Sequence, residues 1–270
     1  MNTKKNGASL SRLHALYALL GVLALIAIAL RSVALARFFN ETTGYFTKGA
    51  LPLVVRLVEV LGAALCTSLF FLIKKDTLTL PKPPLSIAGL FGCTLSALTL
   101  TITAVYFLTR RLSIPTPAVI VLLSALFLLA STAYFINQFR NTQEPDTTLP
   151  FGYMAILGAA LLLATLYFDL TTPMNAPHKV SLQIALLAVM VAILYELRAT
   201  TDEPHPRAQA ATSGFAFFAC AVAGVPNALA YLFGSYNKPF YLFADFICIA
   251  LSIYFASKCM AIRMNERDCQ

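Results

Sequence analysis

The chain has little charge. Only 12% of its 270 residues are Asp, Glu, Lys or Arg. A soluble domain carries about 25%, so this chain cannot cover a water-facing surface with charge. It lacks the ten-residue alternation of a membrane β-barrel. It lacks a basic patch: the net charge of +8 is spread singly or in pairs at the ends of apolar runs, which gives no footprint for nucleic acid. No C-x-x-C or Cys/His spacing suggests zinc. No H-E-x-x-H, P-loop, G-x-S-x-G or nucleotide fingerprint appears. No Lys sits mid-run as a chromophore anchor, and no His pair is placed to ligate haem. The sequence therefore implies no cofactor and no metal, and it leans away from an enzyme.

What is present is apolar length. Hydrophobic residues make up 59% of the chain, and the mean hydropathy is +0.75. A helix needs about 20 apolar residues to cross a bilayer. Eight runs qualify: Leu13–Ala36, Ala50–Ile73, Leu85–Leu108, Ala118–Asn137, Leu149–Phe168, Val180–Leu197, Ala208–Phe233 and Pro239–Cys259. The predicted fold is all-α, a polytopic protein of about eight transmembrane helices with the lipid bilayer as its first partner. Ala34-Leu35-Ala36 resembles a cleavage site, but the preceding run is long and Arg31 interrupts it, so a retained helix is expected.

Basic residues set orientation. With the N-terminus cytoplasmic, the inner side holds Lys4, Lys5, Arg12, Lys74, Lys75, Lys82, Arg140, Arg198, Arg207, Lys258, Arg263 and Arg267. The outer side holds fewer: Arg31, Arg37, Lys48, Arg110, Arg111, Lys179 and Lys238. The expectation is a multi-pass cell-membrane protein with both termini cytoplasmic.

One polar phrase occurs twice. "FFNETTGYF" follows the first run and "YFDLTTPMN" follows the fifth, aligning Phe39 with Phe168 and Asn40 with Asp169. A second echo pairs Tyr134-Phe135 with Tyr254-Phe255. Together they suggest a duplicated four-helix unit, residues 1–137 and 138–270. Four spans is an even number, so the halves would form a parallel repeat. Each phrase also reads as a helix-exit turn, with Thr hydroxyls for exposed backbone groups. Asn40-Glu41-Thr42 is a glycosylation sequon in a secretory-pathway host.

Ionisable residues inside spans are costly and mark function by default. Arg56 and Glu59 lie three apart in span two, and Asp245 lies in span eight at the depth of Arg56. They form a candidate intramembrane polar site, with Arg56 expected to pair with Glu59, Asp245 or both. Asn40, Asp169, Asn175, His178 and Lys179 form a candidate outer-face site, the last three in the Pro-punctuated loop "PMNAPHK". Span seven spaces Ala216, Cys220 and Gly224 for close helix approach. Pro226 and Asn227 mark a candidate kink there, with Asn227 placed to use the carbonyl that Pro226 frees.

Three readings of function stay open. The first is a transporter or binding protein for a small solute or ion. The second is a non-catalytic subunit or sensor acting through a membrane protein partner. The third is a lipid-modifying intramembrane enzyme.

Overall fold

The structure is a computed structural model. It describes residues 3–40, 43–47, 49–72, 78–79, 86–140, 145–201, 205–234 and 238–264. Glu41 and Thr42 of the sequon lie outside the described residues. The long helices are α1 (Thr3–Phe38), α2 (Ala50–Leu72), α3 (Ile87–Arg110), α4 (Ala118–Arg140), α5 (Pro145–Tyr167), α6 (Pro177–Ala199), α7 (Pro206–Leu232) and α8 (Pro239–Ala261). All eight contain a stretch long and apolar enough to cross a membrane. The chain is an integral, multi-pass membrane protein.

Several helices begin earlier than apolar content alone suggests. Proline occupies the first turn of α6, α7 and α8. A first-turn proline loses nothing by lacking an N–H, because that donor has no helical partner anyway. The stretch expected as a loop around Pro177 is thus the start of α6. His178 and Lys179 belong to its first turn and are buried, not loop residues.

Helices α3 to α8 pack in chain order, and α8 packs back against α3. They form a closed ring of six. The main hydrophobic core fills it, with Leu35 of α1 added. Helices α1 and α2 lie outside and pack on each other and on α7. Their own core joins Leu20, Ala24 and Ala27 of α1, Cys66 of α2, and Phe218 and Val222 of α7.

A four-plus-four repeat is not confirmed by this neighbour pattern. Helix α6 packs along α7, yet α2, its counterpart, packs on α1 and α7 and not appreciably on α3. The two phrases do meet. Residues Phe39–Asn40 and Tyr45–Phe46 pair as short strands β1 and β2 in a tight hairpin. Gly44 turns it at φ 71°, a conformation that suits glycine. A Cβ there would lie 2.8 Å from Pro173, its aligned counterpart. A second short pair, Leu78–Thr79 (β3) with Arg263–Met264 (β4), joins the chain after α2 to the end of α8.

Ring closure depends on one small residue. A Cβ on Gly92 of α3 would sit 2.7 Å from the Tyr254 Cα of α8. Backbone, unlike a side-chain tip, cannot swing away. Gly92→Ala is therefore expected to lower thermal stability in detergent by about 1–3 kcal/mol, as overpacking does. Gly21 of α1 has nothing within 4 Å of such a Cβ. Gly21→Ala is expected to be neutral or to gain a few tenths of a kcal/mol from helix propensity. Equal losses for the two variants would contradict the close α3–α8 approach.

Candidate functional site

Helices in a ring alternate in direction, so each end of the ring gathers alternate termini. One end collects the C-terminal turns of α4, α6 and α8. There Glu196 of α6 is buried. Its Oε2 accepts from the Tyr134 hydroxyl at 2.5 Å and from the Tyr254 hydroxyl at 2.8 Å. Lys258 Nζ lies 3.7 Å from Oε1 and donates to Gln138 Oε1 at 3.3 Å. A buried carboxylate is costly unless paired and hydrogen-bonded. Here two neighbouring helices, α4 and α8, supply the partners. Glu196 is not among the candidate site residues read from the sequence. The usable signal was the second echo: its two tyrosines, on α4 and α8, converge on one carboxylate.

The other end holds both polar phrases. Asp169, just past α5, is fully buried. Its Oδ1 accepts from the Thr171 N–H at 2.9 Å and the Thr171 hydroxyl at 2.5 Å. Its Oδ2 accepts from Tyr241 at 2.9 Å and lies 3.6 Å from Lys238 Nζ. Lys238 also donates to the hydroxyls of Thr171 and Thr172. Lys179 points at the C-terminal end of α5. Its Nζ donates to the carbonyls of Asp169 at 2.7 Å, Thr172 at 3.3 Å and Tyr167 at 3.4 Å. A cation suits a helix C-terminus, where orphan carbonyls carry partial negative charge. His178 packs edge-on between Phe39 and Tyr241, with ring centroids 5.5 and 5.0 Å away.

A polar chain continues inward. Asn227 Nδ2 donates to the His178 carbonyl, Ser181 Oγ and Asp245 Oδ1 at 3.4, 3.5 and 3.3 Å. Ser181 Oγ also accepts from Arg31 Nη2 at 2.7 Å, and Arg31 donates to the Pro177 carbonyl at 2.9 Å. Arg31 Nη1 meets Glu59 Oε1 at 2.5 Å. Four expectations change here. Arg31, read as an outer charge, is buried at 3% exposure. Glu59 pairs with it, whereas Arg56 is exposed. Helices α2 and α8 do not adjoin, so Arg56, Glu59 and Asp245 are not one site. Asn227 does not turn back to the carbonyl freed by Pro226; it reaches across to α6 and α8, and α7 continues as helix through Pro226.

Of the expected outer-face residues, Asp169, His178 and Lys179 come together. Asn175 is exposed nearby, and Asn40 stays in the hairpin, its Oδ1 accepting from the Thr43 N–H at 3.3 Å. The pairing missed in sequence had a depth signal. Arg31 is seven residues from the end of α1 and Glu59 nine from the start of α2, about 10 and 13 Å deep at the helical rise.

Between the two polar ends the ring is apolar. A cavity of about 20 Å³ lies there, lined by residues of α3, α4, α5, α6 and α8, among them Leu100, Leu128, Ala159 and Leu251; Ser131 is its single polar residue. That volume is close to the minimum for one water. Among the described residues, no group of three or more His, Cys, Asp or Glu is placed to hold a metal. Comparison of the chain with protein-family models, curated proteins and solved structures finds no match in any of the three. The class is therefore set by fold: a polytopic helical membrane protein, a six-helix ring with an attached α1–α2 pair.

Two tests follow from this geometry. Arg31→Met removes the donor to the Glu59 carboxylate and the closer of two donors to Ser181. It should cost about 1.5–3 kcal/mol, the range for hydrogen bonds to charged groups. Arg56→Met should stay within about 0.5 kcal/mol, as at an exposed surface position. Thermal unfolding in one detergent compares them, and the reverse order would refute the pairing.

The second test is pH dependence. Burial works against the Asp169 carboxylate, but hydrogen bonds from Thr171, Thr172 and Tyr241, and the Lys238 ammonium, outweigh it and hold its pKa below the ordinary value. A depressed folded pKa stabilises the fold above the unfolded value, about 3.9. That contribution is lost as pH falls through the depressed folded value. Asp169→Asn should therefore remove part of the acid limb of a stability–pH profile while lowering stability at neutral pH. An unchanged acid limb would contradict the assignment.

Proposed function

We propose that this chain is a non-catalytic membrane subunit or sensor that works through a membrane protein partner. One observation carries the reading: the ring interior between its polar ends is apolar and closely packed, with room for about one water. A solute path needs a hydrated route past the midplane. Here the ionisable groups sit at the ends, tied to partners from several helices, and the cavity lining is Leu, Ile, Val, Ala and Phe with Ser131 as its single polar residue. Short connections also support a packing role. The excess of Lys and Arg on the Glu196 side supports placing that end, and both termini, in the cytoplasm of a cell-membrane protein.

Transport of a small ion is the second reading. It is favoured by the polar clusters at opposite ends of one ring, the arrangement two gates would need.

The native cysteines separate the two. Cys93 of α3, Cys220 of α7 and Cys248 of α8 line the ring and are fully buried. If the interior stays closed, a membrane-impermeant maleimide added to either side of sealed vesicles should modify none of them, as read by mass spectrometry. Alternating access would open the interior on the μs–ms scale of such motions, and labelling would accumulate within minutes. Modification of Cys93 or Cys248 from either side would overturn the closed-ring reading in favour of transport.

A further inference from the structure

Four ionisable residues lie six or more positions inside a span: Arg31, Arg56, Glu59 and Asp245. Arg31 and Asp245 are buried, and Glu59 is held by Arg31. Arg56 is different. It is exposed, and among the described residues its guanidinium makes no ion pair. A charge within a span is costly and normally faces the bundle, where it pairs. The fold instead leaves one full positive charge on the lipid side of α2.

The face that carries this charge is apolar and uncovered. Helix α2 buries Val55, Gly62 and Cys66 along one stripe, with Gly62 against Phe218 of α7. Leu53, Leu57 and Val60, on the other side, are each more than half exposed. At 3.6 residues per turn they flank Arg56. Helix α2 is also the least buried of the eight spans.

A lipid phosphate is out of reach of this charge. The apolar window Ala50–Ser68 has 19 residues. At the helical rise it is about 28 Å long, close to the hydrocarbon thickness of about 30 Å, so Ala50 stands near the edge. Arg56 is six residues further in, about 9 Å below that edge. Phosphates lie beyond the edge, in the headgroup layer. An extended arginine reaches about 7 Å by standard bond lengths, which falls short. A second copy of this chain fits no better. Its Glu59 is already paired with its own Arg31, so two copies meeting here would bring their uncancelled Arg56 charges together. A different helix with one carboxylate at this depth cancels the charge and covers the apolar face. Arginine can meet a carboxylate with two parallel hydrogen bonds, and no water competes in hydrocarbon.

We propose that the exposed face of α2 around Arg56 docks a transmembrane helix of a partner protein that carries one Asp or Glu at the depth of Arg56. The proposal rests on the subunit or sensor reading and gives that partner its chemistry and its place. Leu53, Leu57 and Val60 pack against apolar residues of the incoming helix, and Arg56 fixes its depth.

The test uses the full chain in phospholipid vesicles and a synthetic transmembrane helix of about 20 leucine and alanine residues. The helix carries one Asp six residues from its end, as Arg56 is placed in α2, and a photoreactive leucine one turn away. Cross-links are mapped by mass spectrometry. The Asp helix should cross-link to α2 about tenfold or more above an Asn or all-apolar helix, the ratio that a charge-assisted hydrogen bond carries. Arg56→Met should remove that preference, and Arg56→Lys should keep part of it. Equal capture of the Asp and apolar helices would overturn the proposal. So would a preference that survives Arg56→Met, or equal capture with the Asp moved to the middle of the helix. A phospholipid that native mass spectrometry finds on the native chain and not on Arg56→Met, with no preference for the Asp helix, would give the charge to lipid. A dimer of the chain that Arg56→Met dissolves would give the face to a second copy. Either result would overturn the proposal. Failure here leaves the cysteine labelling pattern, and with it the closed-ring reading, unchanged.

Discussion

A carboxylate inside a helix bundle imposes a strict condition, since it must meet donors or lose its charge. Glu196 meets this condition through hydroxyls from two different helices and an ammonium nearby. The Tyr134 and Tyr254 rings are fully buried and pack edge-on against Phe135, so hydroxyl and ring are fixed together. Helices α4, α6 and α8 are thereby held at one spacing. Helix α8 can then reach α3, with Gly92 admitting the Tyr254 backbone. Ring closure and the dry interior both depend on this arrangement.

The opposite end is tied by different chemistry with the same logic. Lys179 gathers the carbonyls that end α5. Asp169 gathers hydroxyls and the Lys238 ammonium. Arg31 carries the network outward to Glu59, so the α1–α2 pair is joined to the ring by charge as well as by apolar contact. In lipid, apolar faces alone give helices little reason to choose a partner. The polar ties supply that choice, and the small residues set the distance. Gly224 shows the second effect, its missing Cβ leaving room for the Asp245 carbonyl of α8.

The eight helices were legible because continuous apolar length is a direct physical requirement of the bilayer. Their starts were less so, because a proline reads as punctuation although it fits the first turn of a helix; Pro177 hid His178 and Lys179 in this way. The ring was not legible, since no sequence period states which apolar helix faces which. The pairing of Arg31 with Glu59 was hidden by a local assumption. Arg56, three residues from Glu59, is the nearer cation in sequence, but it is exposed, while Arg31 on the neighbouring helix lies at matching depth. The repeated tyrosines were seen, yet their shared target was invisible because Glu196 sits beside Arg198 at a helix end, where an anchoring role is the ordinary one.

The three-helix tie at Glu196 is tested most directly by a double-mutant cycle on Tyr134→Phe and Tyr254→Phe. Phenylalanine keeps both rings and removes only the hydroxyls. Unfolding free energies of the two single variants and the double variant give the coupling between them. Two donors to one carboxylate should be non-additive, by about 0.5 kcal/mol or more. In a Glu196→Gln background that coupling should shrink. Simple additivity in the native background, with each tyrosine contributing as though the other were absent, would contradict a shared acceptor and with it the account of how the ring closes.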